Sequence, residues 1–188
     1  MSNRFITAAT LAIASLWLVG SGPADAARPP PPPRAVVGRF AHAPGFEVFG
    51  YYIPSHSSRV GPYQLDDLSL GAPAEFASWE RGQRSATYAP VMLEFSDVRS
   101  PMATNEQGQE YHTIQIRVLP DSYRVAPGVL EFRGHDRRLG QVVFSGAIDA
   151  RALAKAKHRN VPELVARGGL EFSGQHDRNV SFTYFAGD

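Results

Sequence analysis

The chain has 188 residues, a formal net charge of +1 and no cysteine. The missing thiols exclude a disulfide scaffold, a thiolate metal centre and a cysteine nucleophile, and the near-neutral balance is not the basic footprint of a nucleic-acid binder. A single core is what this length allows: a domain of about 150 residues buries roughly 70% of the surface its unfolded chain exposes.

Arg4 is the only charged side chain ahead of an apolar run from Phe5 to Val19, which leads into Gly20-Ser21-Gly22, Pro23 and Ala24-Asp25-Ala26. A positive start, an apolar middle and a small-x-small site are the three parts of a secretory signal. Residues 1–26 are therefore expected to be removed, leaving Ala27 as the first residue of a periplasmic or secreted protein. The apolar run is shorter than the roughly 20 residues of a membrane span, and no later run reaches that length, so no span is expected after cleavage. Residues 28–34 then read Arg, five prolines, Arg. Proline fixes φ and lacks an N–H, which predicts polyproline II. The stretch 27–37 reads as a semi-rigid spacer, or as a docking ligand for an aromatic groove on a partner.

From residue 38 to 188 a single β-rich domain is expected, because the dominant period is two. Strands are predicted over Phe46–Ile53, Gln64–Leu70, Val129–Arg133, Gln141–Ile148 and Leu170–Ser173. Three more are built on the alternations Val91/Leu93/Phe95, Ile114/Ile116/Val118 and Val180/Phe182/Tyr184. Pro73 suits a first helical position, Phe76 and Trp79 share a face, and Gly82 closes that helix. Asp149 caps a second helix that runs through Leu153 to His158 with its cations at the C-terminal end. Pro162–Arg167 reads as one further helical turn stopped by Gly168-Gly169. The fold expected is mostly β: an antiparallel β-sandwich, or alternatively a small β-barrel, of about eight strands with two short helical inserts.

One motif repeats. Gly128-Val129-Leu130-Glu131-Phe132-Arg133-Gly134 returns as Gly168-Gly169-Leu170-Glu171-Phe172-Ser173-Gly174, and His135-Asp136-Arg137 returns as His176-Asp177-Arg178. This predicts two similar hairpins with polar tips. Were the tips to meet, His135, Asp136, His176 and Asp177 would offer the nitrogen and oxygen ligands that zinc or another divalent ion takes. No His-x-His or His-x-x-x-His spacing supports that, and Asp and His suit turns in their own right. Neither metal nor cofactor is expected.

Other candidates are weaker. His112 shares the parity of Ile114, Ile116 and Val118 and is expected at the core or its rim, satisfied by a backbone partner. Ser55-His56-Ser57-Ser58 places a histidine among hydroxyls, but neighbours in an extended segment point apart and no nucleophile elbow is present. Asp66-Asp67 lacks calcium-loop spacing. Arg151, Lys155, Lys157, His158 and Arg159 read as a solvated helix end. Aromatics remain: Phe46 and Tyr52 share one strand face, Phe49 and Tyr51 the other, with Tyr63 soon after. Either that strand is buried on both sides or one aromatic face is exposed, and exposed aromatics mark partner surfaces.

The function expected is that of an exported, non-catalytic binding module acting on another protein or an envelope component, of the inhibitor or immunity type, through Phe49, Tyr51, Tyr52 and Tyr63. The alternatives are a β-barrel carrier of an apolar ligand and a metal-assisted hydrolase built on His112 and the twin tips. Nucleic acid is not an expected partner.

Overall fold

Thirteen strands and two helices organise residues 39–159 and 161–187, the part of the chain that the computed structural model describes. The expected signal peptide over 1–26 and the proline-rich stretch over 27–37 lie outside these residues. The first half comprises β1 (Phe40–His42), β2 (Gly50–Pro54), β3 (Ser58–Val60), β4 (Tyr63–Leu70), α1 (Pro73–Glu80) and β5 (Val91–Asp97). There follow β6 (Met102–Thr104), β7 (Glu110–His112), β8 (Gln115–Val118) and β9 (Pro120–Ala126). The last third holds β10 (Val129–Asp136), β11 (Gly140–Ile148), α2 (Ala150–Arg159), β12 (Leu164–Phe172) and β13 (Gln175–Phe185).

The fold is mostly β, as the alternation requires. One sheet runs in the order β1-β9-β10-β11-β12-β13-β2-β4-β5-β8 with β3 beside β4, and β6 and β7 form a separate ribbon. Every named pair is antiparallel except β1 with β9. The sheet curls toward barrel closure. A Cβ built on Gly134 of β10 would stand 2.5 Å from the Leu119 carbonyl oxygen and 2.8 Å from a Val118 methyl, so the far end of the sheet lies against β10. Gly146 and Gly168 face each other across β11 and β12. A Cβ on Gly168 would lie 2.7 Å from Gly146 Cα and 2.7 Å from the Phe144 ring, an approach only glycine permits.

Inward side chains fill the shell. Phe95 meets Phe172 with ring centroids 5.0 Å apart, and Phe144 meets Phe182 at 5.6 Å, both edge to face. Val180, Phe182 and Tyr184 are buried on the parity expected of them, as are Val91, Leu93, Phe95, Ile116 and Val118. Helix α1 seats Phe76 and Trp79 against β1, with Phe76 stacked on His42 at 4.0 Å and Trp79 edge-on to Phe40 at 6.2 Å. Asp149 caps α2 as expected: its Oδ1 accepts from the N–H groups of Arg151 at 2.9 Å and Ala152 at 3.0 Å.

Four local expectations give way to tertiary context. Phe46–Phe49 is not strand; β2 starts at Gly50, whose φ of 141° suits glycine and whose missing side chain admits the Tyr184 ring. Ile114 is exposed, because the chain breaks between β7 and β8 instead of continuing as one strand. Residues 164–167 are the start of β12, not a helical turn, and Gly168-Gly169 passes through the sheet rather than ending a helix. Strands β1, β3, β6 and β9 are additional to those expected; the proline of β9 sits at its first position, where a strand tolerates one.

Both hairpins of the repeated motif form, with β11 of one paired to β12 of the other. Their turns differ. The first reverses after Asp136, which pairs with Gly140, whereas the second reverses at Ser173-Gly174, before His176.

Candidate functional site

Strand β2 alternates in burial, so its aromatics are divided between two faces. Tyr52 points inward, fully buried; its hydroxyl donates to the Val48 carbonyl at 2.7 Å and its ring meets Tyr184 edge-on at 5.8 Å. Burial holds that hydroxyl far above the ordinary tyrosine range. Tyr51 and Ile53 point outward. On the neighbouring strand β13, Phe185 is the cross-strand partner of Tyr51 and Thr183 that of Ile53, while Leu164 of β12 pairs with Thr183. Directly opposed residues of an antiparallel pair share a face. This face presents Tyr51, Ile53, Phe185 and Leu164, each between 39% and 53% exposed, and Phe49, just ahead of β2, is exposed as well. Tyr88 is also exposed and lies close enough to Tyr51 to feel it: burial, Glu75 and Tyr51 together raise its hydroxyl above the usual range.

Of the four residues singled out in the sequence, Tyr51 lies on this outer face and Phe49 is exposed just ahead of its strand. Tyr52 belongs to the core. Tyr63 begins β4, six residues from Ser69, the partner of Tyr51, which is about 20 Å at strand rise. It neighbours Arg99, whose guanidinium forks onto Asp97 at 3.0 and 2.9 Å. Ile53, Leu164, Phe185 and Tyr88 were not anticipated. Phe185 carried a readable signal, as a large apolar residue on the wet parity of its strand. Leu164 did not, since it lay in a segment that read as helix.

The twin tips stand apart. His135 is on β10 and His176 on β13, with β11 and β12 between them, a separation of about 14 Å at normal strand spacing. Asp136 accepts from the Arg138 N–H at 2.7 Å, and Asp177 accepts from the Ser58 hydroxyl at 2.7 Å and the Asn179 N–H at 3.1 Å. His176 faces Glu171 at 3.4 Å across its own hairpin. Among the described residues, no group of three or more His, Asp or Glu side chains gathers in a metal-holding arrangement. His112 sits on the β6–β7 ribbon, half-buried, and donates from Nδ1 to the Ser100 carbonyl at 3.3 Å. Ser55 and His56 do not point apart: Ser55 Oγ is 3.2 Å from His56 Nδ1 and 2.7 Å from Ser181 Oγ. The basic end of α2 is partly engaged in the fold, with Lys155 on Glu163 at 2.7 Å and Lys157 donating to the Glu47 carbonyl at 3.1 Å.

A carboxylate group occupies the sheet next to this ribbon. Asp67 of β4 pairs directly with Glu94 of β5, Asp66 accepts from the Ser96 hydroxyl, and Arg117 reaches Glu94 at 3.3 Å. Burial, then Glu94 and Asp66, push the Asp67 carboxyl up to about 7 against the pull of Arg117. The folded state thus holds a proton more tightly than the unfolded chain. Between the unfolded carboxyl range near 4 and a pH of about 7, its contribution to stability declines as pH rises. Asp67→Asn is accordingly expected to stabilise the protein at pH 8 by about 1–2 kcal/mol, discounted for the water this side chain still touches. The gain should vanish near pH 4. Urea titrations at the two pH values check this, and an equal effect at both would contradict the assignment.

No family model, curated protein or solved structure matches the chain.

Proposed function

We propose that this chain is an exported, non-catalytic binding module of the inhibitor or immunity type, whose partner is another protein held against the outer face of β2 and β13. The observation that carries the reading is the apolar face that Tyr51, Ile53, Phe185 and Leu164 build across β2, β13 and β12, with exposed Phe49 just ahead of it in the chain. Scattered surface apolar residues need no explanation, but a contiguous aromatic patch on a sheet face is the composition of an interface core. Tyr and Phe anchors bury much area at small cost in rotamer freedom. Export is supported by the Arg4, Phe5–Val19 and Ala24-Asp25-Ala26 layout. Carriage of an apolar ligand would call for a chamber inside the shell, and the contacts of Phe95 with Phe172 and of Phe144 with Phe182 occupy that interior.

The test is a paired substitution, Tyr51→Thr with Phe185→Thr, which keeps β-propensity on a solvated face. The native chain, immobilised and exposed to envelope extract of the source cells, should retain a defined protein that the double variant holds about tenfold less tightly or worse. The melting temperature should be nearly unchanged. Equal retention by both chains would remove this face as the binding surface.

A further inference from the structure

The outer face of β10 to β13 carries guanidinium groups that the fold does not use. Ser145 of β11 pairs with Gly169 of β12. Ser145 lines a cleft of about 480 Å³ with Arg124, Glu131 and Arg133, and Gly169 lines a second of about 850 Å³ with Arg167 and Arg178, so the two clefts meet along this pair. Both volumes suit a small-molecule site. Paired residues share a face, and alternate residues of a strand return to it. Arg133 is opposite Val143 and Arg167 opposite Ala147, the residues two before and two after Ser145. Each of their Cα atoms is thus about 8 Å from that of Ser145 at normal strand spacing and rise. Arg178 approaches from the other side. Gly168 pairs with Val180 and Leu170 with Asp177, so Gly169 alone is opposed by two residues, Arg178 and Asn179. That is a β-bulge, a device that re-aims side chains. A Cβ built on Gly169 would find nothing nearer than 3.6 Å, with Arg178 Cα at 3.8 Å, so the floor between the three arginines is open.

The carboxylates of this face are engaged elsewhere. Glu131 is forked by Arg124 at 3.1 and 2.8 Å, and Glu171 faces His176 at 3.4 Å. Asp149 lines the second cleft close enough to Arg167 to feel its charge, but its Oδ1 caps α2. Arg133, Arg167 and Arg178 are exposed and enter none of the ion pairs among the described residues. Three cations around one small polar floor repel each other, and an anion seated between them relieves that. A carboxylate brings two oxygens and one charge. A phosphate monoester brings three acceptor oxygens and nearly two charges, one oxygen for each arginine, and the guanidinium fork matches it. We propose that this chain binds the phosphate group of a phosphate monoester above Ser145 and Gly169, held by Arg133, Arg167 and Arg178, with the body of the ester in the flanking clefts. The site does not depend on the partner reading of the β2–β13 face, and its readout needs no partner protein.

Titrating the full chain with glycerol 3-phosphate at fixed ionic strength should move the backbone amide resonances of Ser145, Gly169 and Arg178 until they saturate. Malonate, a dicarboxylate of similar charge, should bind several-fold more weakly. Arg133→Gln and Arg178→Gln should each weaken the phosphate response about tenfold, the loss of a hydrogen bond to a charged group. Melting temperatures should be nearly unchanged, because both side chains are exposed. Arg81→Gln, at the end of α1, should leave the response as it is. Phosphatidylcholine vesicles with and without phosphatidic acid separate the two sources of such a phosphate. Retention on the phosphatidic acid vesicles without a response to the soluble ester assigns the phosphate to a lipid head group, and a saturating response to glycerol 3-phosphate assigns it to a free ester. Absence of response to both overturns the proposal. So does malonate binding as tightly as the phosphate ester, or a phosphate response that survives both arginine substitutions.

Discussion

Phe182→Ala is expected to lower the free energy of unfolding by about 3–5 kcal/mol, the range for an emptied aromatic core site. Phe182 is fully buried, its ring meets Phe144 edge-on at 5.6 Å, and its backbone pairs with Ala166 on one side and Pro54 on the other. Removing the ring strips contacts from the seam where β12, β13 and β2 face the core, and close-packed neighbours collapse only partly into the gap. Thr183, one residue on, points to the opposite face, where its hydroxyl donates to the Ile53 carbonyl at 3.3 Å. Thr183→Ala should cost no more than about 1 kcal/mol. In melting temperature the first loss is on the order of 10 °C for a domain of this size. Urea midpoints at constant slope distinguish the two variants. Comparable losses would mean that the strand does not present Phe182 to the core.

Gly168→Ala is expected to cost about 3 kcal/mol, whereas Gly169→Ala should be neutral or slightly stabilising. The adjacent glycines are alike in sequence and opposite in surroundings. A methyl at Gly168 would sit 2.5 Å from the Ser145 carbonyl oxygen and 2.7 Å from Gly146 Cα, both backbone atoms of a paired strand that cannot swing aside. A methyl at Gly169 would find its nearest neighbour, the Asp177 carbonyl oxygen, at 3.6 Å, an ordinary contact. The substitution there also reduces the freedom of the unfolded chain. Thermal melts of the two single variants decide the matter. A mild Gly168→Ala would show that β11 and β12 do not approach as closely as the curl of the sheet requires.

The fold class was legible because period-two alternation is a local property: Val180, Phe182 and Tyr184 declare a half-buried strand without reference to anything else. So was α2, whose Asp149 cap and terminal cations act within one turn of the backbone. Less of the candidate site was legible. Phe49 and Tyr51 could be named, but whether their face was wet depended on what lay above it. Tyr52 and Tyr63 were grouped with them by nearness in the chain. The pleat sent Tyr52 inward, and Tyr63 began a separate strand near Arg99.

By itself, the sequence determined the mostly β character, both helix positions, the two hairpins of the repeated motif and the inward faces of most long strands. All of these follow from interactions spanning a few residues. Tertiary structure alone decided where the chain reverses within each copy of that motif, and so kept His135 and His176 two strands apart. It also turned Gly168-Gly169 from an apparent helix stop into a point of close strand approach, and assembled Tyr51, Ile53, Phe185 and Leu164 from three strands into one surface. The physical reason is common to all three. Strand order and register are set by contacts between residues far apart in the chain, and a local pattern specifies which face is apolar but not which distant apolar face will cover it.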